Sequence, residues 1–72
     1  MQRQKVDSRV IWSIGYDPTQ RTLELEFRGT GDIYQYFDVP PEEYAAFCSA
    51  ESKGAYLNQV FVVKGYRYRR IH

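Results

Sequence analysis

The sequence predicts an α+β domain in which a three-stranded antiparallel β-meander packs against one or two C-terminal helices, the last residues being free to add a short edge strand. Three observations point there. Apolar residues alternate with small or charged ones over residues 10–16 and 23–28, short turn-forming segments separate these runs, and after Pro40 and Pro41 the apolar spacing changes from two to three and four.

In the first run Val10, Trp12, Ile14 and Tyr16 fall on alternate positions with small Ser13 and Gly15 between them, so one face of a first strand should be buried. Asp17, Pro18, Thr19 and Gln20 read as a turn, because proline fixes φ at its second place. Leu23, Leu25 and Phe27 then alternate with Glu24, Glu26 and Arg28, which gives a second strand with one dry and one wet face. The connection through Gly29, Thr30, Gly31 and Asp32 is short, so the third run, Ile33–Val39, should pair antiparallel with the second. That run is apolar on both faces: Ile33, Phe37 and Val39 point one way and Tyr34 and Tyr36 the other. Pattern alone leaves its buried face open.

Val39 precedes a proline and is pushed to extended geometry, Pro41 suits a first helical turn, and Glu42 and Glu43 sit where the helix dipole favours anions. A helix should begin there. Its apolar stripe, Tyr44, Phe47 and Cys48, should face the sheet. Ser52 is a natural N-cap for a second helical segment in which Tyr56, Leu57, Val60 and Phe61 repeat the spacing, and Lys64 with Gly65 forms a stop signal. Val60–Val63 fit a strand equally well, and Tyr66–Ile71 fit either an edge strand or a tail.

At 72 residues, 43% hydrophobic and 26% charged, the chain suffices for one domain with a thin core. Domains of this size bury only about 60% of the surface their unfolded chains expose, so a large enclosed active site is not expected. The organisation read from the sequence is a flexible segment over 1–7, a folded domain over 8–66 and a basic tail over 67–72. No apolar run approaches membrane-spanning length and Met1 to Lys5 do not resemble a secretory leader, so a cytoplasmic protein is expected.

The formal net charge of +1 conceals a strong asymmetry. Acids dominate residues 17–51, where only Arg21 and Arg28 oppose eight carboxylates, whereas Lys53, Lys64, Arg67, Arg69 and Arg70 follow with no acid among them. Such a cationic end attracts phosphate whatever the overall sum.

Catalytic constellations are not legible. Cys48 is the single cysteine and His72 the single histidine, so neither a disulfide, a Cys/His metal site nor an activated thiolate can be assembled from them. Glu24 and Glu26 share one strand face, Glu42 and Glu43 are sequential in a first helical turn, and both pairs read as solvated charge. Gly29 and Gly31 lie between two strands and form a hairpin turn, not a phosphate loop. Cys48 reads as a small core residue. No enzymatic activity and no cofactor are expected.

The seven tyrosines carry more information. Tyr34/Tyr36 and Tyr66/Tyr68 are each spaced by two, which puts two rings on one face of an extended segment. Exposed rings of this kind stack on unpaired bases, and neighbouring arginines add phosphate contacts. The first pair is equally suited to a small core that needs large aromatics, while Arg67, Arg69 and Arg70 make the second pair hard to bury.

Ser13-Ile14-Gly15-Tyr16-Asp17 after a first strand, then Leu23, Leu25 and Phe27, Tyr34-Gln35-Tyr36, Val39-Pro40 and Ser52-Lys53-Gly54-Ala55-Tyr56-Leu57-Asn58 together resemble the KTSC domain. That module occurs at the C-terminus of some lysyl-tRNA synthetases and as a free-standing bacterial or phage protein. The resemblance runs from about Ser8 to Tyr66 and implies a small domain of no established function, for which the attachment to a synthetase suggests RNA as a ligand. It does not extend to the doubled Pro40 and Pro41 or to the basic tail.

Two functions follow as expectations. In the first, the domain binds RNA or another single-stranded nucleic acid weakly, through Tyr34, Tyr36, Lys53, Lys64, Tyr66, Arg67, Tyr68, Arg69 and Arg70. In the second, it offers an exposed edge strand or an aromatic patch to a protein partner.

Overall fold

A computed structural model describes all 72 residues. The α+β class holds, but the sheet has five strands, not three: β1 (Arg3–Lys5), β2 (Ile11–Asp17), β3 (Thr22–Phe27), β4 (Ile33–Tyr36) and β5 (Tyr68–Arg70). They lie in chain order, each antiparallel to its neighbours. Between β4 and β5 the chain forms α1 (Pro41–Ser49) and α2 (Lys53–Tyr56), and α2 runs on through a π-helical turn (Leu57–Phe61) and a 3-10 turn (Val62–Lys64). Val60–Val63 are therefore helical and not a strand.

The register fixes which side chains face the helices. Leu25 lies opposite Ile14 and Tyr34, and Leu23 opposite Tyr16 and Tyr36, so these six share one face. Alternation does not hold back to Val10, because the pairing shifts between Ile11 and Ser13 and leaves Trp12 in a bulge. Ile11 thereby enters the core while Val10 stays exposed. Trp12 instead lies between the cations of Lys5 and Arg28, 5.0 and 4.5 Å from its ring.

The core comprises Ile11, Ile14, Leu23, Leu25, Tyr36, Val39, Phe47, Leu57 and Phe61. The open question of β4 is thus decided: its tyrosines face inward. Asp38, with φ of 58°, breaks the alternation so that Val39 is buried as well. The helical signals act locally as expected. Ser52 Oγ accepts from the Ala55 amide at 3.2 Å, and Gly65 ends the helical stretch at φ of 72°, a conformation that favours glycine. Gly54 permits a close approach, since a Cβ there would meet Val10 Cγ2 at 2.8 Å.

Four expectations need correction. Residues 1–7 contain β1, which pairs Arg3 with Gly15 and Lys5 with Ser13. The tail contains β5, extended beyond Arg70 by backbone hydrogen bonds from Ile71 to Ile33 and from Ile33 to His72. The outer face of β3 is not wet at Glu24, because Arg3 folds over it and Gln35 donates to it at 3.0 Å. On α1 the buried line runs through Glu43 and Phe47, leaving Cys48 exposed. The native protein should therefore react with a thiol reagent at the rate of an ordinary exposed cysteine, and protection that disappears only on denaturation would contradict this placement of α1.

Candidate aromatic binding cleft

Antiparallel pairing of β4 with β5 puts Tyr68 beside Tyr36 and Arg70 beside Tyr34, with all four side chains on the helix-bearing face. The Tyr68 ring centroid lies 5.6 Å from those of both Tyr34 and Tyr36. Behind them the Phe61 ring packs edge-on against Tyr36 at 4.9 Å, and Tyr66 lies 4.9 Å from Phe61. These rings, with Val62 and Gly65, enclose a cleft of about 220 Å³. Tyr36 is buried, Tyr34 and Tyr66 are half-buried, and Tyr68 is 61% exposed. One ring of the four is thus largely open to solvent.

The predicted cations do not gather around this cleft. Lys64 is held by Glu43 at 2.6 Å, Arg67 pairs with Asp38 at 2.9 Å, and Arg70 lies 3.9 Å from Asp32. Arg69 lies opposite Gln35 and so projects from the other face of the sheet. Lys53 stands apart, in a polar hollow with Ser8, Ser52 and Asn58, where its Nζ donates to the Ala50 carbonyl at 3.3 Å. The acidic middle of the chain has supplied a partner for most of the basic end.

Glu43 is the main surprise. Expected to be solvated, it is 4% exposed, and its carboxylate accepts from Lys64 Nζ at 2.6 Å, from the Tyr66 hydroxyl at 2.9 Å and from the Tyr56 hydroxyl. Burial pushes its carboxyl up, but hydrogen bonds from Lys64, Tyr56 and Tyr66 outweigh that and hold it below the usual carboxylate range. Tyr56 is pushed up to about 12, first by its hydrogen bond to this carboxylate, and Tyr66 to about 12, first by burial. Because Lys64 and Tyr66 flank Gly65, the network ties down one wall of the cleft from outside.

Sequence reasoning also missed a second hollow, of about 480 Å³, lined by Arg9, Val10, Phe27 and Arg28 together with Tyr34 and Tyr36. No local signal marks it. Arg9 and Arg28 belong to different segments that only the β2–β3 pairing brings together, through a 2.8 Å hydrogen bond from the Arg28 amide to the Val10 carbonyl. The structure brings no three His, Cys, Asp or Glu side chains together in a metal-holding group. No helix is long and apolar enough to cross a membrane.

An antiparallel five-stranded sheet with helices on one face and an aromatic cleft at its β4–β5 end defines a small α+β domain. The family model of the KTSC domain matches residues 7–69, and the chain belongs to that family. It is similar to a KTSC domain protein from Yersinia pestis, whose crystal structure aligns at a TM-score of 0.89 and 45% identity over 99% of this chain and 97% of that one. An uncharacterized protein of Stutzerimonas stutzeri strain A1501 is 46% identical over 71 residues, 99% of each chain. A lysine–tRNA ligase of Nostoc sp. strain PCC 7120 is 36% identical over 67 residues, 93% of this chain and 12% of the ligase.

Proposed function

We propose that this domain is a non-enzymatic module of the cytoplasm that binds single-stranded RNA weakly, taking one unpaired base against Tyr68 in the aromatic cleft. The observation that carries this reading is the open Tyr68 ring backed by Tyr34 and Tyr36, since a half-open aromatic cluster offers a stacking surface to any base. Arg70 lies on the same face but beside Asp32, so the stack on Tyr68 and not this cation carries the contact. Similarity to lysine–tRNA ligases supports RNA as the ligand class. The scattering of the tail cations argues for low affinity.

Titration of a fluorescein-labelled uridine octamer at low salt tests this. Tyr68→Ala should cost about 1–3 kcal/mol of binding, the range for one lost base stack. Melting should hardly change, because Tyr68 is mostly exposed. Failure of the intact protein to bind the octamer would contradict the proposal and favour a second reading. In that reading the free outer edge of β5, beside exposed Ile71, takes up a strand from a protein partner.

A further inference from the structure

The cleft and the second hollow share Tyr34 and Tyr36 as a common wall. Together they form a path along the part of the sheet's helix-bearing face where Phe27, Tyr34 and Tyr68 are not fully covered. Their electrostatics differ in a way that the sequence hides. At the cleft end the cations are engaged, Lys64 with Glu43, Arg67 with Asp38 and Arg70 with Asp32. At the far end Arg9 and Arg28 are exposed, and neither forms an ion pair.

Arg28 is held in place without being neutralised. Its Nε donates to the Ser8 carbonyl at 2.8 Å and its guanidinium packs over Trp12, contacts that orient the fork but leave its charge unopposed. Asp32 also lines this hollow, but Arg70 lies beside it. The local balance around the hollow is therefore positive.

Resting on the RNA reading of the cleft, we infer that the second hollow is a phosphate-binding subsite. The strand leaving the base stacked on Tyr68 crosses Tyr34 and sets its backbone phosphates against Arg9 and Arg28. Phe27 and Val10 floor this subsite with apolar surface. The phosphate contacts thus lie in the loop before β2 and at the end of β3, not in the basic tail.

The test is the salt dependence of octamer binding by the full chain. Each lost phosphate contact flattens the log–log slope by about 0.7 on single strands. Arg9→Ala combined with Arg28→Gln should therefore flatten it by about 1.4 and weaken binding at low salt. Arg21→Gly removes a cation from the β2–β3 turn at a residue whose φ of 53° glycine adopts freely, and it should leave the slope unchanged. Arg9→Ala alone, at a side chain with no hydrogen bond to the rest of the protein, should flatten the slope by about 0.7 with no change in melting. If Tyr68→Ala weakens binding while the Arg9/Arg28 double variant keeps the wild-type slope, this subsite is overturned and the cleft stands. If the intact protein does not bind the octamer, both fall.

Discussion

Phe47→Ala is expected to abolish most of the protein's stability. Phe47 is fully buried in the core that α1 shares with the sheet residues Ile14, Leu23 and Leu25, its ring 5.4 Å from Phe61 and 5.1 Å from Tyr56. Truncating a buried phenylalanine to alanine costs about 3–5 kcal/mol, the lost burial plus the cavity that remains. A single core below about 70–80 residues seldom supplies more than that, so the variant should be largely unfolded at room temperature by circular dichroism. Phe27→Ala should do much less, because Phe27 is only half-buried and lines an open hollow. A wild-type denaturation midpoint for Phe47→Ala would show that α1 does not cover the sheet as described.

The second large effect is expected at Glu43. Glu43→Leu takes the carboxylate from two half-buried tyrosine hydroxyls and from Lys64, and a polar group left without its partner costs about 1–3 kcal/mol when buried and less where water reaches it. A loss on the order of 2 kcal/mol follows, with Lys64, half-exposed, contributing least. The pH dependence has a defined sign on each side. Glu43 is held below its ordinary value of 4.5 in the fold, so its stabilisation is present above that value and is lost as pH falls through the lower folded value. Tyr56 and Tyr66 are raised from 10.0 to about 12, so their share is present below 10 and is lost as pH rises toward 12. Urea denaturation across pH should show both losses in the wild type, with the acid loss reduced in Glu43→Leu. An unchanged acid limb in that variant would remove Glu43 from the network.

What could be read from the sequence was local. The β2–β4 meander, the Pro41 helix start, the Ser52 cap and the Gly65 stop depend on period, turn chemistry and capping within a few residues, and all are found. Features that depend on distant pairing were hidden. β1 has only Arg3, Gln4 and Lys5 and no alternation to announce it, and it is held by Arg3 reaching Glu24 and Ser13 across the sheet. The bulge at Trp12 reverses the inferred facing of Val10 and Ile11, which no single strand reveals without its partner's register. Glu43 looks like an ordinary first-turn acid, because the residues that bury it arrive 13 to 23 positions later. The tyrosine pairs were legible as a candidate surface, and Tyr34, Tyr36 and Tyr68 do meet. The assumption that Tyr66 shares the face of Tyr68 was only a strand rule, and Tyr66 precedes β5 and turns its hydroxyl to Glu43. The grouping of the cations failed for a related reason, since their acidic partners lie elsewhere in the chain.

Binding of single-stranded RNA along the aromatic path is tested most directly by mapping amide chemical-shift changes on the isotopically labelled intact protein during titration with a uridine octamer. The expected result is a contiguous set of changes at Tyr34, Val62, Gly65 and Tyr68, continuing to Arg9 and Arg28 and sparing Lys53 and Arg69. Changes confined to Ser52, Lys53 and Asn58, or no changes at an octamer excess, would contradict it.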